Sequence, residues 1–163
     1  MHKTDDLEFL VTVGETGAQT LSFDRSPTVL LTFAANRFTR AAARFYQDRY
    51  GIGAMDWRML VMLTREPGSS VSHAGRTIGI DKGAVSRSLK RLETKGLAAP
   101  AGGNRSDWVL TPEGQALHAE ILEVALERQR KLLKGLSKSD VETLTRCLGQ
   151  FLVNLSDMDP PQG

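Results

Sequence analysis

The residues best equipped for chemistry lie in one run, KGAVSRSLKRLETK, at positions 82–95. At 100° per residue, Val85, Leu89 and Leu92 fall within about 60° of one another and mark a buried stripe. The opposite arc gathers Gly83, Arg87, Lys90 and Thr94, flanked by Ser86 and Arg91, with Lys82 at the start. Its only acid, Glu93, sits near the buried edge. Ordinary solvated helices mix charge signs, and this arc does not. Long cationic donors and hydroxyls at this spacing reach phosphates and base edges, and arginine suits guanine O6 and N7 in a major groove. Gly83 removes a side chain where helix N-terminal N–H groups can approach a phosphate. The chemistry is recognition of a polyanion, and Lys82, Gly83, Ser86, Arg87, Lys90 and Arg91 are its candidate contacts.

Bond-making chemistry finds no comparable set. The chain has no glycine-rich phosphate loop, nucleophile elbow, paired-carboxylate motif or metal motif, so an enzyme is not expected. His2, His73 and His118 share no metal-ligand spacing, and one cysteine cannot build a Cys-rich zinc site; no metal and no cofactor are expected. Cys147 sits in an apolar helical stripe and reads as a small buried hydrophobe.

The elements that position the basic arc follow from charge and punctuation. The formal charge of +2 conceals a division: −3 over residues 1–26, +7 over 27–111 and −2 over 112–163. Ser26-Pro27 opens a long helix closed at Gly51, with Leu31, Ala34, Phe38, Ala41 and Phe45 stepping by three and four. A second helix fits 54–66. A third fits 72–79, opened by Ser72 and weakened by Gly75, which costs about 1 kcal/mol relative to alanine in a helix interior. The fourth, 82–95, has Asp81 as its cap and Gly96 as its stop. Residues 97–110 read as strand, turn, strand, with Arg105 at the tip. Thr111-Pro112 opens a fifth helix to about Lys134. Ser137 with Asp140 opens a sixth, to about Leu155, by a capping-box arrangement. The predicted class is mainly α with a small β-hairpin (α+β): a winged helix-turn-helix flanked by N- and C-terminal helices. A short helix, a tight turn and a basic helix followed by a hairpin point to double-stranded DNA, with the wing arginine entering a minor groove.

The stretches DKGAVSRSLKRLETKGL, LTPEGQALHAEI and LLKGLSKSDVETLTRCL together resemble the MarR family of transcriptional regulators, over about residues 27–156. The resemblance implies an obligate homodimer in which the first, fifth and sixth helices intertwine. It also implies a regulator, more often a repressor, that is modulated by a small aromatic or phenolic molecule. Ser86, Arg87, Lys90 and Arg91 match the family's recognition helix, and Arg105 its wing tip. Only 12 residues, 98–109, separate KGL from LTPEG, so the wing is contracted relative to the family pattern. The family's effector pocket lies near the junction of the first two helices, where Phe45, Tyr46, Tyr50 and Trp57 gather. Packing accounts for these rings; Tyr46, Trp57, Arg58 and His118 are the candidate contacts for an aromatic or anionic effector.

Independently of the family, helix five carries Leu117, Ile121, Val124, Leu132 and Leu133 on several sides. Helix six presents Leu144, Cys147, Leu148, Phe151, Leu152 and Leu155. Such helices need more than one packing surface, which a two-fold dimer supplies. The expected organisation is an N-terminal extension, partly disordered, at 1–26, with at best a short strand or helix near Leu7–Val13. Dimerisation helices follow at 27–55 and 112–157, with a DNA-binding module at 56–111. The acidic N-terminus does not read as a signal peptide and no apolar run reaches 18 residues, so a cytoplasmic protein with no membrane partner is expected. A protein-interaction adaptor that keeps the shape without binding an operator is the alternative, resting on the weak third helix and the contracted wing.

Overall fold

The computed structural model describes residues 4–102 and 107–158, which divide into two compact units, Met1–Gln115 and Ala116–Gly163. In the first, a 3-10 segment (Thr4–Leu10) leads into strands β1 (Val11–Val13) and β2 (Gln19–Leu21), paired antiparallel with Val11 opposite Leu21. This hairpin adds to the short strand or helix expected there. Gly14 and Gly17 turn the chain through hydrogen bonds to Ala18 O and Gly14 O, and Arg25 ties the base to Val11 O at 3.0 Å. Ser22 and Ser26 are buried beneath it.

Helix α1 (Pro27–Tyr50) begins at Ser26 with proline in its first turn, as the sequence predicts. Ser26 does not cap through its hydroxyl, which pairs with Thr28 Oγ1 at 3.1 Å instead. Then come α2 (Ala54–Arg65), β3 (Ser69–Ser70), α3 (Val71–Ile78), α4 (Lys82–Thr94), β4 (Ala98–Pro100) and β5 (Asp107–Leu110). The wing is a three-stranded antiparallel sheet in the order β3-β5-β4. Because Ser69 and Ser70 pair with Trp108 and Asp107, the chain enters α3 earlier than predicted. Ser70, not Ser72, caps that helix by accepting the His73 N–H at 3.1 Å. Gly75 is explained too: a Cβ there would lie 2.9 Å from Ile80 O, so glycine lets the turn into α4 close against α3.

The core of this unit comprises Ile52, Met59, Leu60 and Leu63, the stripe Val85, Leu89 and Leu92, and Ala98, Trp108 and Leu110 from the wing sheet. Each large side chain buried here contributes about 1.5–3 kcal/mol of hydrophobic transfer. The face of α4 opposite the basic arc is thereby fixed in place.

Thr111 caps α5 (Pro112–Leu132): its hydroxyl accepts the Gly114 N–H at 3.1 Å and donates to Gly96 O at 2.7 Å. A Cβ on Gly114 would collide with the Leu97 carbonyl, which is backbone and cannot rotate away. Gly114→Ala is therefore expected to lower unfolding free energy by about 1–3 kcal/mol. Urea denaturation measures this; an unchanged midpoint would show that the α5 start does not seat against the Leu97 backbone.

In the second unit α5 runs on to Leu132, and α6 (Lys138–Met158) starts at the predicted capping box. Asp140 Oδ2 accepts the Ser137 N–H at 2.8 Å, and the Ser137 hydroxyl accepts the Asp140 N–H at 3.2 Å. Hydrogen bonds from Ser137 hold the Asp140 carboxyl below its ordinary value. No residue of α6 is buried, and Leu152, Val153, Leu155 and Met158 are at least half exposed. No helix of the described residues is long and apolar enough to cross a membrane.

Candidate nucleic-acid interface

Helix α4 projects its cations because its ends and its back are held. Asp81 Oδ1 accepts the Ala84 N–H at 2.8 Å, the predicted cap. Val85, Leu89 and Leu92 are almost wholly buried, as is Ser88 between them. Lys82, Gly83, Ser86, Arg87 and Lys90 are all exposed. A Cβ on Gly83 would lie 3.1 Å from both Arg87 Nη1 and Asp81 Oδ1, so the bare glycine leaves room for the Arg87 guanidinium along the helix N-terminus. Lys90 Nζ meets Glu93 Oε2 at 2.5 Å, with the lysine side chain 74% exposed. A pair that open contributes about 0–1 kcal/mol, so Lys90 can exchange Glu93 for a phosphate at little cost.

Arg91 is placed differently from the others. Its Nη2 lies 2.6 Å and its Nε 3.2 Å from Oδ1 of Asp56, a residue of α2 that is 2% exposed. Ser88 donates to the same oxygen at 2.6 Å, and Oδ2 accepts the Gly53 N–H at 3.1 Å. The buried carboxylate is satisfied on both oxygens, as burial of a charge requires. Arg91 therefore has a structural role, tying the basic helix to α2, with half its side chain still exposed.

Asp56 is absent from the sequence-derived candidates. Its signal was present: Asp56, Leu60 and Leu63 step by four and three along the apolar face of α2, and an acid on a buried stripe demands a cationic or hydroxyl partner. Sequence spacing does not reveal which partner, because Ser88 and Arg91 lie 32 and 35 residues away.

Arg105 lies outside the described residues, so the wing tip carries no geometry here. The strands that lead to it are in place, with Ala98 opposite Leu110 and Pro100 opposite Trp108. On α3, Arg76 is exposed, while His73 Nε2 meets Glu66 Oε2 at 2.6 Å.

Of the effector candidates, Tyr46 is buried and packs on Trp57 with ring centroids 5.8 Å apart; Phe45 packs on Tyr46 at 5.8 Å and on Tyr50 at 6.3 Å. Arg58 is exposed and donates to Thr39 Oγ1 at 3.4 Å. His118 belongs to the second unit, where partial burial lowers its pKa below the ordinary value. Cys147 is half-buried on α6. No cluster of three or more His, Cys, Asp or Glu suited to a metal ion occurs among the described residues.

A family model described as the MarR family matches residues 50–105, the span from the end of α1 to the wing. Among solved structures, a MarR/EmrR family transcriptional regulator from Acinetobacter sp. ADP1 is 29% identical, with a TM-score of 0.78 over 85% of this chain and 100% of that one. A MarR transcriptional regulator from Methanosarcina mazei Go1 is 22% identical, with a TM-score of 0.72 over 83% and 94% of the two chains. A Listeria monocytogenes protein described as a MarR-family transcriptional regulator, complexed with 26mer DNA, is 20% identical, with a TM-score of 0.73 over 82% and 91%.

Proposed function

We propose that this chain, whose winged module is that of the MarR family and whose fold is shared with its transcriptional regulators, is a homodimeric DNA-binding regulator acting as a repressor at a pseudo-palindromic operator. One observation carries the reading: α4 buries one face completely and presents Lys82, Ser86, Arg87 and Lys90 on the other, where the one acid of the helix, Glu93, is held by Lys90. In this reading α4 enters the major groove, Arg87 and Lys90 contact base edges and phosphates, and the Gly83 backbone approaches a phosphate. Residues 56–111 form the DNA-binding module. Residues 27–55 and 112–157 form the dimerisation arms, and α6, on which no residue is fully covered, supports a partner for them. A two-fold dimer sets its recognition helices about one DNA turn apart, roughly 34–36 Å. The direct test is titration of a labelled fragment from the protein's own promoter region against random duplex. Specific binding at physiological salt supports the reading, and equal affinity for both duplexes overturns it.

The wing supplies a second contact in this proposal. Arg105→Ala is expected to weaken binding and to reduce the slope of log K against log salt by about 1, the signature of one lost phosphate contact. Unchanged affinity and slope would show that the contracted wing stays off the DNA.

A small aromatic or anionic effector completes the reading, with Tyr46, Trp57 and Arg58 of the first unit as its proposed contacts. The stacked rings and the exposed guanidinium of Arg58 support that ligand chemistry. A thermal-shift screen of aromatic carboxylates and phenols, followed by DNA release with any hit, examines it, because a ligand that binds only the folded state raises the melting temperature by mass action.

A further inference from the structure

Away from the recognition helix, α1 carries a second uniform row of cations. Arg37, Arg40 and Arg44 recur at steps of three and four, which gathers them within about 60° of the helix circumference. All three are exposed, and among the described residues none has a carboxylate within ion-pair distance. Beside them runs the apolar seam, in which Leu31 and Phe38 stand 41% and 42% exposed. On α5, Glu120, Glu123 and Glu127 repeat the same steps with the opposite sign, and all three are exposed. Glu127 is shared with Arg130 and Lys131 of its own helix at 3.2 and 3.7 Å, whereas Glu120 and Glu123 have no ion-pair partner among the described residues.

We infer that the arginine row of α1 docks on the glutamate row of α5 of a second copy of this chain, forming an ion ladder that selects the homodimer. This rests on the dimer reading above and adds the contact that chooses the partner. Both rows span seven residue steps, about 10.5 Å of helix, so all three pairs come into register together. Reversing one helix changes the steps from three and four to four and three, an offset of about 1.5 Å at the middle pair, which flexible side chains absorb. Two-fold symmetry makes the ladder twice over, since each copy offers both rows. Charged rows beside an apolar seam set partner choice and orientation more than raw affinity, because a chain lacking the acidic row would face unpaired or repelling arginines.

The test is sedimentation equilibrium of the full chain at about 50 mM and about 500 mM salt, comparing wild type with R37E/R40E/R44E, E120R/E123R/E127R and the chain carrying both sets. Wild type is expected to dimerise more weakly at high salt, as screening weakens exposed pairs. Each one-sided reversal is expected to raise the dimer Kd at low salt by about tenfold or more, and the doubly reversed chain to recover to within about threefold of wild type. That recovery cannot come from misfolding of the one-sided variants. A doubly reversed chain no tighter than its parents overturns the ladder, as do one-sided variants that dimerise like wild type, whether or not they lose DNA affinity. In each of those results a wild-type dimer leaves the dimer reading standing; a wild-type monomer at every concentration and salt overturns both.

Discussion

Replacing Asp56 with alanine is expected to lower the unfolding free energy by about 3 kcal/mol and, at temperatures where the variant remains folded, to weaken operator binding. The carboxylate holds three groups: the Arg91 guanidinium and the Ser88 hydroxyl, each at 2.6 Å, and the Gly53 N–H at 3.1 Å. Removing one partner of a buried pair costs about 3–5 kcal/mol, because the remaining groups are left desolvated and unmatched. The lower end applies here, since the Arg91 side chain is 49% exposed and can recover water. Ser88 cannot, being fully buried. The functional loss follows from position: Ser88 and Arg91 belong to the helix proposed to read DNA, and Asp56 to α2 beneath it. Asp56→Asn separates charge from shape, since it keeps an oxygen for Ser88 while weakening the bond to Arg91. Chemical denaturation of both variants beside operator titration gives the result. A loss below about 1 kcal/mol for the alanine variant would show that the network contributes little to anchoring α4.

What the sequence disclosed and what it hid differ in range. The α4 arc, its Asp81 cap and the Ser137–Asp140 box involve residues within one or two turns of each other, where helical geometry determines the neighbours. Angular position places Arg91 on the basic arc and does not show that it also pairs with Asp56. A helical wheel shows which way a side chain leaves the backbone and not what waits 35 residues earlier in the chain. Strand β3 was hidden for a different reason. Two serines show neither apolar alternation nor β-branched content, and they form a strand because β5 offers a free edge. The N-terminal hairpin was nearer to view, since Val11-Thr12-Val13 alternates ahead of Gly14 and Gly17. Only its three-residue strands kept it below the length at which periodicity is decisive. Arg58 and His118, joined in the sequence reading as one anion site, stand in separate units and were linked by chemistry rather than spacing.

Arg87→Ala combined with Lys90→Ala is expected to weaken operator binding by about 2–6 kcal/mol, some thirtyfold to more than ten-thousandfold, while leaving the fold intact. Each contact to a base edge or phosphate contributes about 1–3 kcal/mol, and the two side chains lie three residues apart on the same exposed arc of α4. Stability should be insensitive, because neither side chain is buried and the only ion pair lost among the described residues, Lys90 with Glu93, is open to solvent. This separates the double variant from Asp56→Ala, whose effect on DNA comes through the fold. Salt dependence then tells the two modes of contact apart. If both groups meet phosphates, the slope of log K against log salt falls by about 2 and random duplex is weakened as much as operator. If one of them reads a guanine edge, the slope falls by about 1 and the ratio of operator to random affinity collapses. Fluorescence anisotropy at four salt concentrations, with a thermal melt of the free protein as control, resolves these outcomes. Undiminished affinity in a folded double variant would remove α4 as the DNA-reading surface, and with it the observation on which the proposed function stands.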